Sequence, residues 1–429
     1  MRPLKLSLRC DATDHYVYKG MLYIALSDGG VVSVSLNKIF SVLAEKYKKI
    51  EGIKGVLNIS FRRNLYWKQY PVECMLSIPE VREGLMQAWN RIVSEYEFNL
   101  DLSDIEPRTI LKDIPGELLD IVIYGNKLYL ACLNGMYQYS LEQPFHTRKA
   151  KLFDGKTFNI NSGYSSIVMS LGNDGISHFN PFVEEYVNDR KHVDIKSLFT
   201  KWTPAGGLMN YHETNNSIFI SNRIESNESG AIDRYSIKEF AFQSKNLNEL
   251  LKKDSLKILE KGCSVFSGIR SQYAYTKSGK LYKGGLRVRD GRMSSIELEL
   301  EQTSKHNFKT FGQLISGREV ADYPVMEFED AVYLLTKNDL YLLTDEPAVS
   351  IHTYPNSSHF RDLVTITTDE YIGLHSIDVI SEAHPDLHPK PKRKTPTDLI
   401  MDDELATDYN FQMDNIPLKF DINQSDLPF

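Results

Sequence analysis

A short hairpin recurs along this chain, and that recurrence limits the fold more than any other feature. "GMLYIALSDGGVVSVSLN" (Gly20–Asn37) and "GNKLYLACLNGMYQYSLE" (Gly125–Glu142) share a Leu-Tyr pair, an alanine, a glycine-bearing turn and a Ser-Leu pair. Alternating apolar residues give each strand one buried face, and Asp-Gly or Asn-Gly supplies the positive φ of a tight turn. A single hairpin is marginal in water, so the unit must pack against further copies. Weaker copies run over Ser165–Pro181, Asn216–Ile237, Ser271–Leu286, Asp330–Glu346 and Asp362–Asp378. The later turns are about 31 to 60 residues apart, near the interval of four-stranded propeller blades.

On these residues the chain resembles the β-propeller superfold, in the broad sense of WD-repeat and kelch-like proteins. The likeness runs over roughly residues 5–380, apart from one insertion. The Gly-His and Trp-Asp dipeptides of WD repeats and the regular double glycine of kelch repeats are missing, so no specific family is identified. The resemblance implies an all-β propeller of about seven blades over residues 1–382, with six or eight as alternatives. The same hairpins would also suit a large β-sandwich or two β domains. "PLKLSLRC" (Pro3–Cys10) alternates as a strand should and is placed to pair with the last blade and close the ring.

Two stretches fall outside the repeat. Residues 38–105 change to a helical period. In "NKIFSVLAEKYKKI", Ile39, Leu43, Tyr47 and Ile50 share one face, and in "SIPEVREGLMQAWNRIVSEYEF" so do Val81, Leu85, Trp89 (or Ala88) and Ile92. Ser77 and Glu80 have capping-box spacing around Pro79. The intervening "GVLNISFRRNLYWKQYP" reads as extended and as a candidate outer strand of the first blade. This insertion is a decoration of one face or a partner-docking element. "VDIKSLFTKW" and "NLNELLKKD" read as helical connections between blades.

Residues 383–429 lose all periodicity and carry 5 Lys+Arg against 9 Asp+Glu. They are expected to form a flexible acidic and apolar tail. Tyr409, Phe411, Ile416, Leu418 and Phe420 are spaced along it and are the candidate partner-binding residues. Lys392, Arg393 and Lys394 form a basic linker that also matches a simple nuclear import pattern.

Chemistry is sparse. No phosphate-loop, dinucleotide, zinc-protease or nucleophile-elbow motif occurs. "DATDH" holds Asp11, Asp14 and His15, but reads as a turn with no rigid element to aim ligands. "NDRKHVD" reads as a helix start, "HPDLHP" is broken by prolines, and "GLRVRDGR" is at most an anion-contact patch. Cys10, Cys74, Cys132 and Cys263 form no C-x-x-C pair and read as reduced thiols. No catalytic residue, metal ligand or cofactor is assigned.

The net charge of −7 provides no global basic field, so nucleic acid is not an expected partner. The N-terminus lacks a signal-peptide pattern and no apolar run is long enough to cross a membrane, which points to a cytoplasmic protein. The expected function is a non-catalytic interaction scaffold or regulatory subunit with protein partners. A propeller hydrolase or lyase with a central-channel site, and a nucleic-acid-associated protein using the basic insert, are the alternatives.

Overall fold

The computed structural model describes residues 2–60, 78–141, 149–163, 166–179, 181, 191–202, 207–211, 217–221, 242–246, 263–268, 271–287, 297–302, 308–336, 339–354, 357 and 360–377. The chain divides into two units, Met1–Leu387 and His388–Phe429. The fold below is that of the first.

Its strands form a β-propeller. The first blade holds β1 (Leu4–Arg9) only as a neighbour, its own strands being β2 (Ala12–Tyr18), β3 (Met21–Leu26), β4 (Val31–Ser35) and, after β5 (Phe98–Asp101), β6 (Arg108–Leu111). The second blade is β7 (Leu118–Tyr124), β8 (Lys127–Cys132), β9 (Gly135–Ser140) and β10 (Lys149–Phe153). The third is β11 (Asn159–Gly163), β12 (Ser166–Ser170), β13 (Ile176–Phe179) and β14 (Lys191–Val193). The fourth is β15 (Phe199–Trp202), β16 (Gly207–Tyr211), β17 (Ser217–Ser221) and β18 (Phe242–Asn246). The fifth is β19 (Cys263–Ser267), β20 (Gln272–Thr276), β21 (Leu281–Arg287) and β22 (Glu297–Gln302). The sixth is β23 (Ser316–Val320), β24 (Tyr323–Glu327), β25 (Val332–Leu335) and β26 (Leu340–Thr344). A closing sheet has β27 (Ser350–Thr353), β28 (Leu363–Thr367) and β29 (Tyr371–Ser376), then β1, then β5. Thus, among the described residues, six regular four-stranded blades are found where about seven were expected, and the closing sheet has five strands.

Five of the seven recurring hairpins are inner pairs of their sheets, β3–β4, β8–β9, β12–β13, β20–β21 and β28–β29, whereas Asp330–Glu346 supplies β25 and β26, the third and fourth strands of the sixth blade. The Asn134-Gly135 turn joins β8 to β9, where Gly135 has φ +151° and a Cβ would meet the Phe153 carbonyl at 2.5 Å. The inner hairpins use two-residue turns with both φ positive, at Lys19-Gly20, Gly125-Asn126 and Ala321-Asp322. All three are the tight type expected of a twisted two-residue loop. The Asn216–Ile237 hairpin also differs: Ser217–Ser221 pairs with Phe242–Asn246 as the third and fourth strands of its blade, and residues 222–241 lie outside the described set.

Ring closure follows the expectation for Pro3–Cys10. β1 runs antiparallel to β29, with Leu4 opposite Ser376 and Arg9 opposite Tyr371. The insertion completes this junction. It leaves the first blade after β4 as α1 (Leu36–Lys46), α2 (Ile53–Ser60) and α3 (Pro79–Glu95), and returns as β5 parallel to β1. Phe40 and Leu43 of α1, Val56 and Leu57 of α2, and Trp89 and Ile92 of α3 bury against Leu4, Leu6 and Leu8 of β1 and against Phe98 and Leu100 of β5. The Trp89 indole N–H donates to the Arg2 carbonyl at 3.2 Å.

Several local expectations are corrected. Ile53–Ser60 is helical, not extended, and the outer strand of the first blade is β6; residues 61–77 lie outside the described set. α3 starts at Pro79 with Ile78 at its N-cap position and no side-chain cap, so the Ser77 box is not the start signal. Lys191–Val193 and Phe199–Trp202 are strands, not helical starts or connections. "NLNELLKKD" after Asn246 lies outside the described residues.

Candidate functional site

Two neighbourhoods stand out, one where the inner strands meet and one on the face that carries the hairpin turns. The inner strands of neighbouring blades lie side by side: β27 beside β2, β2 beside β7, β7 beside β11 and β11 beside β15. Each inner strand of the first two blades has a bulge, between Ala12 and Asp14 and between Leu118 and Asp120. The bulge places Asp14 and Asp120 at equivalent positions, and each carboxylate accepts the next backbone N–H, from His15 at 2.8 Å and from Ile121 at 2.9 Å. "DATDH" is therefore the start of a rigid inner strand and not a turn.

Asp14 is 5% exposed and faces the closing sheet. His352 Nε2 lies 2.8 Å from its Oδ1. The fully buried His15 ring has Thr367 Oγ1 2.6 Å from Nδ1 and Thr365 Oγ1 2.5 Å from Nε2. Tyr354 reaches the same place, its hydroxyl 2.8 Å from Thr365 Oγ1 and accepting the Val17 N–H at 3.1 Å. One donor atom each from Asp14, His15 and His352 lies within 4.8 Å of the others. Burial pushes the Asp14 carboxyl up, but the charge and hydrogen bond of His352, with His15, outweigh it and hold Asp14 below the usual carboxylate range. Burial pushes His15 down to about 3, and His352 adds to the effect.

Asp120 continues this belt into the next blades. Its Oδ2 accepts from Asn159 Nδ2 at 2.6 Å and from the Ile160 N–H at 2.8 Å. Asn159 Oδ1 in turn accepts the Thr200 N–H at 3.1 Å. Burial and the neighbouring Asp14 charge push Asp120 up to about 6. Lys201 of β15 is pushed down to about 8 by burial and by Arg318 of β23, against the pull of Asp120 and Glu319. Charged groups from distant blades therefore converge at the centre, and Asp120 spends its oxygens on joining one blade to the next.

The second neighbourhood follows from strand direction. The start of each inner strand lies beside the end of the second strand, so it shares a face with the turn between the second and third strands. Ile315 and Val349 immediately precede β23 and β27, and their N–H groups donate to Glu327 and Thr367 at the ends of β24 and β28. Leu133 opens the turn of the second blade, its N–H bonded to the Glu117 carbonyl. These apolar side chains are 58%, 49% and 36% exposed, respectively.

Acidic residues crowd the same face. Glu329 and Asp330 occupy the turn of the sixth blade, Asp369 and Glu370 that of the closing sheet, and Asp28 that of the first blade, all exposed. Asp11, Asp113 and Glu117 are exposed just before β2 and β7. At the junction, Arg9, Cys10, Asp11, Leu26, Asp28 and Asp101 line an open cleft of about 310 Å³. Arg9, Lys112 and Lys309 are exposed basic residues at the described turns and strand entries of this arc. The result is an acidic arc with interspersed apolar side chains, running from the sixth blade across the closure to the second.

Tyr409, Phe411, Ile416, Leu418 and Phe420, together with Lys392, Arg393 and Lys394 and "HPDLHP", lie outside the described residues. Of the basic insert, Lys46 donates to the Asn99 carbonyl and Lys48 pairs with Glu45, while Arg62, Arg63 and Lys68 lie outside the described set. Arg287 ends β21, and Arg289 and Arg292 are likewise not described. Cys10 and Cys132 are free thiols, and burial pushes Cys10 up to about 12. Sequence reasoning passed over Asp120 and His352. Asp120 carried a signal: Asp14 and Asp120 each stand eight residues before the Leu-Tyr pair of their hairpin, at Leu22 and Leu128. His352 carried none, because it meets Asp14 only once the ring is closed. Among the described residues, no helix is long and apolar enough to cross a membrane.

No family model matches the chain, and no curated protein matches it. Solved structures similar in overall shape include PorZ, an essential bacterial surface component of the type-IX secretion system of Porphyromonas gingivalis, at 9% identity and TM-score 0.43. That match covers 87% of this chain, which spans only 37% of that protein's length. The N-terminal domain of Nup159 matches at 12% identity and TM-score 0.43, over 87% of this chain and 89% of that one. The Cps50 (Swd1) β-propeller domain of Myceliophteria thermophila matches at 10% identity and TM-score 0.38, over 59% of this chain and 80% of that one.

Proposed function

We propose that this chain is a non-catalytic protein-interaction scaffold or regulatory subunit whose acidic, apolar-studded turn face docks a basic polypeptide segment. The observation that carries this reading is the arc of Asp28, Glu329, Asp330, Asp369 and Glu370 around exposed Ile315 and Val349. Clustered charge of one sign steers an oppositely charged partner, and apolar side chains set in rigid turns supply the anchors that charge alone does not. The same arc repels a phosphate backbone, which weighs against the nucleic-acid alternative. The enzyme alternative needs polar groups free to act in the central channel, but Asp120 Oδ2 accepts from Asn159 Nδ2 and the Ile160 N–H, and its Oδ1 accepts the Ile121 N–H. Tyr409, Phe411, Ile416, Leu418 and Phe420 belong to this reading as a second docking element, joined through the basic linker at Lys392–Lys394.

The test is fluorescence anisotropy with labelled peptides carrying Arg, Lys and Leu, and with sequence-matched peptides in which Glu replaces the basic residues. Binding of the basic peptide alone is expected, weakening steeply with salt. The triple variant Glu329→Lys, Asp369→Lys, Glu370→Lys is expected to lose at least tenfold in affinity. Equal binding of both peptides, or no effect of the triple variant, overturns the reading. Removing residues 383–429 and repeating affinity capture tests the tail separately: an unchanged set of captured proteins removes it from the scheme.

A further inference from the structure

The ring closure holds a cluster with a chemistry unlike the rest of the propeller. Asp14 and His15 come from the first inner strand and His352 from the last, so the three meet only when the ring is complete. Their donor atoms lie within 4.8 Å of one another, with Asp14 Oδ1 and His352 Nε2 2.8 Å apart. The two imidazoles stand edge to face, 4.9 Å between centroids at 85°. Asp14 and His15 are buried and His352 nearly so. Two imidazoles and a carboxylate are the donor set of borderline divalent ions, and three protein ligands leave a position open. Threonine hydroxyls on both sides of His15 supply the outer contacts that orient a ligating imidazole. Bonding one ring nitrogen to an ion displaces one of these hydroxyls and leaves the other as the contact that orients the ring. The carboxylate of Asp120 on the adjacent inner strand adds a second negative charge that an ion would offset.

We propose that Asp14, His15 and His352 form a binding site for a zinc-class divalent cation that bridges the first and last sheets of the propeller. The sequence alone does not predict this site, because "DATDH" by itself reads as a turn. The β2 strand supplies the missing rigidity.

The experiment uses the full chain, stripped with a chelator and titrated with Zn²⁺ by calorimetry and with Co²⁺ by visible absorption. About one ion per chain is expected, with a rise in melting temperature as the ion loads. His352→Asn and Asp14→Asn are each expected to weaken binding at least tenfold, while the double variant His384→Ala, His388→Ala binds as the parent does. X-ray absorption of the zinc-loaded parent chain is expected to show two imidazoles and oxygen, a readout that stands even if a variant fails to fold. Absence of binding by the parent, undiminished binding by His352→Asn, loss of binding in the His384/His388 variant, or a sulfur-containing shell each overturns the proposal.

Discussion

His375 lies in β29 opposite Lys5 of β1, its ring wholly buried. Gly373 makes room for it, since a Cβ there would stand 2.7 Å from the His375 Nε2. Burial pushes the imidazole down to about 3, and the Lys5 charge adds to this. An unfolded histidine titrates near 6.5, so the unfolded chain takes up the proton first as pH falls. Stability from this residue is complete above about pH 6.5 and declines by up to about 1.4 kcal/mol per pH unit down to about pH 3. The expected loss is about 2 kcal/mol between pH 7.5 and pH 5. Asp120, raised to about 6, acts in the opposite sense below pH 6, but it is common to parent and variant. Urea unfolding of the parent and of His375→Leu at both pH values therefore isolates the term: the variant should lose about 2 kcal/mol less on acidification. Equal pH dependence of the two proteins refutes it. At this scale little was legible. Asp14 and Asp120 repeat in the sequence, whereas His352 meets Asp14 and His375 meets Lys5 only across the closure of the ring.

The insertion shows what periodicity can and cannot reveal about elements. α1 and α3 were readable because their apolar residues recur at helical spacing over several turns. α2 was not, because its 8 residues are too few to separate a helix from a short apolar strand. Lys191–Val193 and Phe199–Trp202 erred the other way, being strands too short to alternate visibly. The basic side chains of the insert drew attention, yet its packing is the more informative feature. Trp89 is 1% exposed and touches both the core of the closure and the Arg2 carbonyl. Trp89→Ala is expected to cost about 3–5 kcal/mol, measured by chemical denaturation. A cost below about 1 kcal/mol, less than large core truncations give, would make the insert a dispensable decoration. By the same logic, deleting residues 38–105 removes the fifth strand of the closing sheet and should yield insoluble protein, read out by expression and sedimentation.

For the molecule as a whole, the propeller was legible because one hairpin recurs and because Pro3–Cys10 alternates with no hairpin partner nearby. The acidic face was not, since charge becomes a patch only when the topology decides which turns share an end. Glu329, Asp369 and Asp28 are far apart in the chain and share a face by strand direction alone. Removing residues 2–10 is expected to leave β29 with an unpaired edge and to produce concentration-dependent association, visible by light scattering at micromolar protein. A monomeric, fully folded variant would show that β1 is not needed for closure.

The pairing of Leu4–Arg9 with Tyr371–Ser376 also sets an order in time. A ribosome adding about 5–20 residues per second takes roughly 20 to 70 s to travel from the first of these strands to the second. For that whole interval the first strand exists without its antiparallel neighbour, and the helical insert that covers it is complete long before. β5 and α3 can therefore hold β1 in place while the remaining blades are made. The insert thereby gives β1 a parallel neighbour in β5 well before its antiparallel neighbour β29 is made.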